Sequence, residues 1–258
     1  MDNTSNRISP LFIGHGSPMN AIASNSYTHF LASYAQSIPS PKAVVVISAH
    51  WQSRGTFITG SDAPEQIYDF YGFPDDLYRV RYAPPGTKTI AQQVASFVSG
   101  ISVDSDRGID HAAWAVLMHM YSKATIPVLE LSLDIHKSPQ EHFLLGQRLQ
   151  ALCNDGILFI GSGNMVHNLR DISFEDDEPP FPWAVAADAW LKEKLELDAI
   201  QELIDYERSF PNYKRSIPTN EHYLPLLYIL GMRDTTKKLK TLYEAIQNGS
   251  ISMRSIAG

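Results

Sequence analysis

Residues 43–51 read AVVVISAHW and form the most strand-like run of the chain. The run is continuously apolar and rich in β-branched residues, which is typical of a strand that is buried on both faces of a sheet. His50 lies near the end of this run. Since ligands of open parallel sheets bind beyond the carboxyl ends of the strands, this stretch predicts a central strand with a functional position at its end.

Three further runs have the same apolar character. They are PLFIGHG at 10–16, IPVLELSL at 126–133 and GILFIGSGN at 156–164. Helix-like segments alternate with these runs: TKTIAQQVASFVSG with Ile90, Val94 and Phe97 on one face, SPQEHFLLGQRLQALCNDG, FPWAVAADAWLKEKLE and NEHYLPLLYILGM. The alternation predicts a single α/β domain over residues 1–258, with a mostly parallel central sheet flanked by helices.

Composition narrows the class of protein. The 258 residues are 44% hydrophobic and 19% charged, which is typical of a compact globular chain. A net charge of −7 without a Lys/Arg run argues against nucleic-acid binding. No stretch reaches the roughly 18 apolar residues of a membrane span, and MDNTSNRISP lacks the apolar core of a signal peptide. We therefore expect a cytoplasmic protein that contacts neither nucleic acid nor membrane.

The single cysteine, Cys153, excludes an internal disulfide and a thiolate metal cluster. It lies in a helix-like stretch that ends at Gly156, so we expect a small buried side chain.

The positions of the histidines are informative. His15, His50 and His167 each stand at or just beyond the end of a strand-like run. His111 lies in GIDHAAWAVL, and His222 in TNEHYLPLLYIL follows Glu221. Imidazoles that converge with a carboxylate form a site for Zn(II), Fe(II) or a similar ion, but the spacing does not choose the metal.

Other motifs have simpler interpretations. His29, His119, His136 and His142 lack such a context and are expected to be structural. The chain has no H-E-x-x-H motif, and Ser17 in GHGSP is out of register for a nucleophile elbow, so it is expected to be a turn residue. GSGN at 161–164 could form an anion-binding nest, although no Walker lysine follows.

Two stretches, 60–86 and 171–182, are the most loop-like. Long loops in a compact domain often shape an active site. The aromatic residues of the first loop either form the wall of a ring-binding pocket or pack the loop onto the sheet; they are Tyr68, Phe70, Tyr71, Phe73 and Tyr78. Trp51 and Tyr223, which neighbour site histidines, are candidates to support them.

Seven motifs occur in order between residues 11 and 231: LFIGHGSPMN, VVVISAHWQSRG, YDFYGFPDDLY, YAPPG, GIDHAAWAVL, GSGNMVHNLR and EHYLPLLYILG. Together they resemble the DODA-type (4,5-DOPA) extradiol aromatic ring-opening dioxygenases, a class III extradiol group related to the catalytic subunit of protocatechuate 4,5-dioxygenase. GSISMRSI near the end of the chain is similar as well.

This resemblance implies an α/β domain with a mononuclear non-heme metal. It implies that His15, His50 and His222 ligate the metal, with Glu221 as the alternative to His222 because the wider class uses a carboxylate. His167 matches a histidine that is either a further ligand or an acid–base group.

His111 matches a histidine that is expected to touch the substrate. The implied reaction uses Fe(II) and O₂ to open a catechol ring, such as that of L-DOPA to seco-DOPA, and Zn(II) is implied as an alternative, inactive occupant. A zinc hydrolase on the same histidines and a non-enzymatic metal- or ligand-binding protein are the alternatives.

Overall fold

The computed structural model describes residues 7–174 and 178–258. Its strands, in chain order, are β1 (Leu11–Gly14), β2 (Ala43–Ser53), β3 (Thr56–Thr59), β4 (Ile101–Asp104), β5 (Val128–Asp134), β6 (Ile157–Gly163), β7 (Lys240–Tyr243), β8 (Ile246–Gln247), β9 (Ile251–Ser252) and β10 (Ser255–Ala257). Eight of them form one sheet in the order β4-β3-β5-β2-β6-β1-β10-β7, and β8 and β9 form a separate small sheet.

The centre of the main sheet is parallel. β5, β2, β6 and β1 lie side by side in parallel, so their carboxyl ends share one edge. Antiparallel strands flank this centre, because β3 pairs antiparallel with β5 and β10 with both β1 and β7. The prediction of a mostly parallel central sheet is confirmed, and the short flanking strands are additions that the apolar runs do not reveal.

The helices, in chain order, are α1 (Ser26–Ser37), α2 (Asp75–Tyr78), α3 (Lys88–Phe97), α4 (His111–Met120), α5 (Pro139–Leu149), α6 (Pro182–Glu196), α7 (Ile200–Ile204), α8 (Tyr206–Ser209), α9 (Tyr213–Ser216) and α10 (Leu224–Met232). α5 begins with a capping box in which Ser138 and Glu141 bond reciprocally to each other's backbone N–H groups. A 3₁₀ turn after α5 carries Cys153, which is fully buried as predicted.

Helices cover both faces of the sheet, which explains the continuous apolar run of β2. Val45 and Ile47 point into a core shared with α3, α5, α6 and α10, whereas Val44 and Val46 point into a second core shared with α1 and α4. Successive side chains of a strand face opposite sides, so the apolar residues from Ala43 to Ile47 all lie in one core or the other.

One detail of the predicted helix pattern is wrong. Phe97 was expected to share a buried face with Ile90 and Val94, but its side chain is 52% exposed. α3 ends at Phe97, and the chain becomes extended at Val98, which takes the core position instead.

Some of the predictions concern segments outside the described residues. The N-terminal 1–6 and residues 175–177 of the second long loop are among them. Within the described ranges, none of the helices combines the length and the apolar character needed to cross a bilayer.

His142 gives the fold a defined pH dependence. It is fully buried on α5, its Nδ1 lies 3.0 Å from the Tyr228 hydroxyl of α10, and burial lowers its pKa from 6.5 to about 4. Between these two pKa values the unfolded chain binds a proton that the folded protein does not bind. The free energy of unfolding therefore falls as the pH decreases through this window.

We predict that His142→Gln removes this contribution. Between pH 7.5 and pH 5 the wild-type protein should lose about 2 kcal/mol more unfolding free energy than the variant. Urea denaturation at both pH values measures the difference. An identical pH dependence in the two proteins would show that His142 does not titrate in this way.

Candidate metal centre

His15 follows β1 directly at the shared carboxyl edge. Its backbone N–H donates to the carbonyl of Gly163 at the end of β6, at 3.1 Å. The next residue, Gly16, has φ +64, a conformation that favours glycine, and turns the chain away. Ser17 then caps a short 3₁₀ helix by accepting the N–H of Met19, so its predicted role in a turn is confirmed.

His50 lies inside β2 rather than beyond its end, because β2 continues to Ser53. The pairing of β2 with β5 nevertheless shifts register between Ile47 and Gln52, so the ladder is interrupted around His50. The backbone N–H of His50 bonds to the hydroxyl of Ser48 at 3.1 Å instead. The histidine therefore occupies an irregularity of the strand.

His222 precedes α10 and approaches the end of β6. Its carbonyl accepts the N–H of Asn164 at 3.0 Å. A Cβ at Gly163 would lie 2.1 Å from the same carbonyl oxygen, so only glycine permits this approach. Gly161 to Gly163 are strand residues, and the Asn164 side chain bonds to Gly16 N–H and Ser252 O. The stretch that could have formed an anion-binding nest is therefore part of β6 and of the contacts at its end.

The rings of His15, His50 and His222 form a nearly equilateral triangle. Their centroids are 5.2 Å apart for His15 and His50, 5.3 Å for His15 and His222, and 5.0 Å for His50 and His222. The Nε2 atoms of His15 and His50 are 3.4 Å apart. Three imidazoles from separate parts of the chain thus converge on one point. The strand ends predict this for His15 and His50, and the family resemblance predicts it for His222.

His111 and His167 flank this triangle. His111 is the first residue of α4, and its ring centroid is 4.1 Å from that of His50 and 5.7 Å from that of His15. His167 stacks face to face on His222, with centroids 3.6 Å apart. Its backbone N–H donates to the carbonyl of Ser216 at 2.9 Å.

Each ring of the triangle has a protein partner at Nδ1. His15 Nδ1 is 3.0 Å from the hydroxyl of Ser162, which itself donates to the Ala112 carbonyl. His222 Nδ1 is 3.1 Å from Oε1 of Glu221. Glu221 therefore lies behind His222, although its carboxylate, His222 and His167 also offer ligand atoms within 4.8 Å of one another.

The partner of His50 is Asp69, a residue that the sequence analysis missed. Its Oδ2 lies 2.7 Å from His50 Nδ1, and its Oδ1 lies 2.8 Å from His111 Nδ1 and accepts the His111 backbone N–H at 3.0 Å. The available signal was a carboxylate within the aromatic motif YDFYGF.

The loop that carries Asp69 is fixed to the start of α4. The N–H of Ile67 donates to the carbonyl of Ile109 at 2.8 Å, and the indole of Trp114 donates to the carbonyl of Ile67 at 2.9 Å. Phe70 is the loop aromatic at the site, with its ring 5.4 Å from that of His111. Tyr71 is 92% exposed.

The remaining loop aromatics pack among themselves. Tyr68, Phe73 and Tyr78 all contact the Phe70 ring. Phe70 therefore lies beside the histidine cluster, and Tyr68, Phe73 and Tyr78 pack the loop around it, whereas Tyr71 does not. The wall of a ring-binding pocket stays a prediction.

The other predicted supports, Tyr223 and Trp51, have their described contacts with residues outside the cluster. The hydroxyl of Tyr223 donates to the carbonyl of Leu203 at 2.7 Å within the core. The Trp51 ring lies beneath the guanidinium of Arg107, which is 5.2 Å from its centroid. Neither observation gives these residues a direct role in the histidine cluster.

Asp110, also missed from the sequence, joins α4 to β2. Its carboxylate caps α4 by accepting the N–H of Ala112 and accepts the hydroxyl of Ser48 at 2.8–2.9 Å. Its own N–H donates to Glu130 at 2.7 Å. Burial, followed by the charge of Asp110, raises the pKa of Glu130 well above its usual value, which favours its protonated form.

The buried rings of the cluster are held neutral. Burial, followed by the charge of His50, lowers the pKa of His15 well below its usual value, and burial followed by His167 does so for His222. Burial lowers the pKa of His167 to about 4, and burial and then His50 lower that of His111. Neutral imidazoles keep a lone pair that can bind a metal or accept a proton.

His50 differs because Asp69 is so close. Burial is the largest single effect and lowers the pKa of His50, but the hydrogen bond to Asp69 and the charges of Asp110, Asp69 and Glu221 together outweigh it, so the net pKa is raised. Burial raises the pKa of Asp69, but its hydrogen bonds from His111 and His50 prevail and hold this pKa well below its usual range. Asp69 is thus ionised.

Comparison with known proteins identifies relatives along almost the whole chain. Residues 10–253 match the family described as the catalytic LigB subunit of aromatic ring-opening dioxygenase. A 4,5-DOPA dioxygenase extradiol of Escherichia coli (strain K12) is 40% identical, over 98% of this chain and 95% of its own. A Beta vulgaris protein of the same name is 37% identical, over 95% of this chain and 94% of its own.

A solved structure has the same fold. An uncharacterized protein of Escherichia coli K12 superposes with a TM-score of 0.84 at 36% identity, and the alignment covers 97% of this chain and 99% of that one. The resemblance drawn from the motifs is confirmed. The chain belongs to the DODA-type class III extradiol dioxygenases, within the family of the catalytic LigB subunit of aromatic ring-opening dioxygenases.

Proposed function

We propose that this protein is an Fe(II)-dependent extradiol dioxygenase that opens the ring of a catechol such as L-DOPA, by 4,5-cleavage to seco-DOPA. The observation that carries the proposal is the triangle of His15, His50 and His222, with an outward partner on each Nδ1. The substrate assignment draws on the relatives named 4,5-DOPA dioxygenase extradiol. We further propose that residues 1–258 act as one catalytic domain in the cytoplasm.

The donor set fits the proposed metal. Ser162, Asp69 and Glu221 occupy the Nδ1 atoms of the three rings, which leaves each Nε2 for an ion. Metal-bound histidines characteristically donate their other N–H to a carboxylate or a similar acceptor. Imidazole suits both Fe(II) and Zn(II). His222 is the proposed third ligand, because Glu221 accepts its hydrogen bond instead.

Fe(II) supplies the redox chemistry that lets a catechol donate electrons to O₂, which Zn(II) cannot supply. Both oxygen atoms enter the ring-opened product, so no external reductant is consumed. The protein must therefore hold the catechol beside the histidine triangle and handle the protons of its two hydroxyls.

His111 and His167 are placed for these proton transfers. They flank the triangle beside His50 and His222, respectively, and both are neutral because burial lowers their pKa values. A neutral imidazole at hydrogen-bond reach accepts a hydroxyl proton and later returns it to the product. We propose that His111 contacts the catechol and that His167 is the acid–base group, rather than a fourth ligand.

Phe70 gives the substrate an aromatic neighbour. Its ring meets His111 edge-on, with the two ring planes 83° apart. An aromatic wall beside a few convergent polar groups is typical of a site for a small aromatic ligand. Phe70 is thus proposed to contact the catechol ring, while the remainder of the loop holds Phe70 in position.

We predict that protein loaded anaerobically with Fe(II) consumes O₂ when L-DOPA or a simple catechol is added. The product should be yellow and heavier than the substrate by both oxygen atoms. An oxygen electrode and mass spectrometry measure this, with Zn(II)-loaded protein as the inactive control. Absence of turnover over a panel of catechols, with iron bound, would refute the function. Anaerobic hydrolysis by the Zn(II) form would favour a hydrolase.

We also predict that His15→Ala and His50→Ala each abolish metal binding. His111→Ala should keep the metal and reduce kcat, because the catechol loses a contacting imidazole; a loss of about 100-fold would equal that of a proton-transfer group. Metal content after dialysis and steady-state rates distinguish the two classes. His29→Ala is the matched control, because His29 bonds to Ser24 in an exposed contact. Full metal occupancy in His15→Ala would overturn the ligand assignment.

A further inference from the structure

Asp69 is the residue through which a proposed metal ligand and a proposed substrate-binding histidine meet. Its two carboxylate oxygens receive three hydrogen-bond contacts: Oδ2 from His50 Nδ1, and Oδ1 from both Nδ1 and the backbone N–H of His111. The side chain is 19% exposed, so water competes little for these oxygens. By contrast, Glu221 has only one of the histidines, His222, as its partner in the contacts described.

An ionised carboxylate can only accept hydrogen bonds, so both imidazoles must donate to it. A neutral imidazole has a single N–H, and donation from Nδ1 leaves the lone pair at Nε2. Resting on the function proposed above, we infer that Asp69 is a positioning residue that imposes this one tautomer on His50 and His111 together. The Nε2 of His50 is then free for the metal, and that of His111 is free for a catechol hydroxyl.

Because of its position in the chain, Asp69 also connects His50 and His111 to the loop that borders the proposed substrate pocket. Asp69 immediately precedes Phe70, whose ring contacts His111, and the loop is fixed to α4 by the Ile67 and Ile109 backbones. A displacement of this loop would move the aromatic wall and release both histidines at once. The orientation of a metal ligand and the shape of the substrate pocket therefore depend on one side chain.

The role requires two acceptor oxygens, which an amide does not have. In Asp69→Asn, the amide oxygen can stay on the side of His111, where it accepts two N–H groups, and the NH₂ then faces His50 Nδ1. His50 would have to carry its proton on Nε2, which cannot ligate a metal in that state. Metal binding would force the amide to turn, and the NH₂ would then drive His111 into the Nε2–H tautomer.

The test compares Asp69→Asn with Glu221→Gln, since both exchange a carboxylate beside a site histidine for an amide. Glu221→Gln loses the charge but still offers an oxygen to its single partner, so we expect it to lose less Zn(II) affinity than Asp69→Asn. Asp69→Asn should weaken Zn(II) binding about 10- to 100-fold, the range for a lost outer partner of a ligand. Competition with a chromophoric chelator measures both affinities.

A spectroscopic measurement distinguishes a role of Asp69 in positioning the two histidines from a nonspecific loss of structure in the variant. In the Zn(II)-loaded wild-type protein, long-range ¹⁵N NMR spectra should show His111 as the Nδ1–H tautomer. The signals of His111 are identified by their absence from the spectrum of His111→Ala. In Zn(II)-loaded Asp69→Asn the same ring should be the Nε2–H tautomer. With saturating Fe(II), kcat should fall by more than KM changes. Asp69→Glu keeps two oxygens and should lie closer to wild type than Asp69→Asn in affinity and kcat.

The outcomes are decisive in either direction. Equal Zn(II) affinities for Asp69→Asn and Glu221→Gln, an unchanged His111 tautomer, or Asp69→Glu below Asp69→Asn would each overturn the inference. Circular dichroism verifies that the variants fold. If Asp69→Asn does not fold, the His111 tautomer of the wild-type protein carries the test, and an Nε2–H tautomer there would overturn the inference. If the wild-type enzyme turns over no catechol, the proposed function fails, but Zn(II) affinity and the tautomers still test the role of Asp69.

Discussion

The parallel pairing of β6 with both β1 and β2 is the constraint on which the site depends. In this register Ser162 of β6 lies level with Ile13 of β1 and with Ser48 of β2. His15 and His50 each come two residues later along their own strands, and Asn164 holds the His222 backbone at the same height. A slip of one residue would turn alternate side chains to the opposite face of the sheet and separate the rings.

Five histidines that lie close together in a buried space are electrostatically unfavourable when their rings are charged. The groups around the rings determine how far this effect is reduced. Protonated rings at these distances would repel one another, and burial alone disfavours the charged form. Lowered pKa values favour the neutral form of every ring except His50. The outer nitrogens of the triangle have acceptors: a serine for His15 and carboxylates for His50 and His222. One negative charge, at Asp69, lies inside the cluster and is stabilised by two imidazole donors. The result is a set of oriented lone pairs rather than a set of charges.

Much of this arrangement could be predicted from the sequence because its signals are local. Continuous apolar runs identify the parallel strands, and the histidines at their ends identify the edge that binds ligands. Asp69 could not be found in this way, since its partners are 19 and 42 residues away along the chain and no periodicity marks it. Phe97 shows the opposite failure: its helical spacing is correct, but the helix ends there and Val98 takes the core position. Pairing over long distances and the ends of elements are decided by tertiary packing.

His142 shows which property separates a functional histidine from a structural one in this fold. It is as deeply buried as His15, its pKa is also lowered, and its Nε2 has no hydrogen-bond partner among the residues described. Burial and a shifted pKa therefore do not by themselves identify a site. His142 lies between α5 and α10, where Tyr228 is its hydrogen-bond partner. The free nitrogens of the site histidines instead face one another at the edge of the sheet, and this convergence is what a metal and its substrate require.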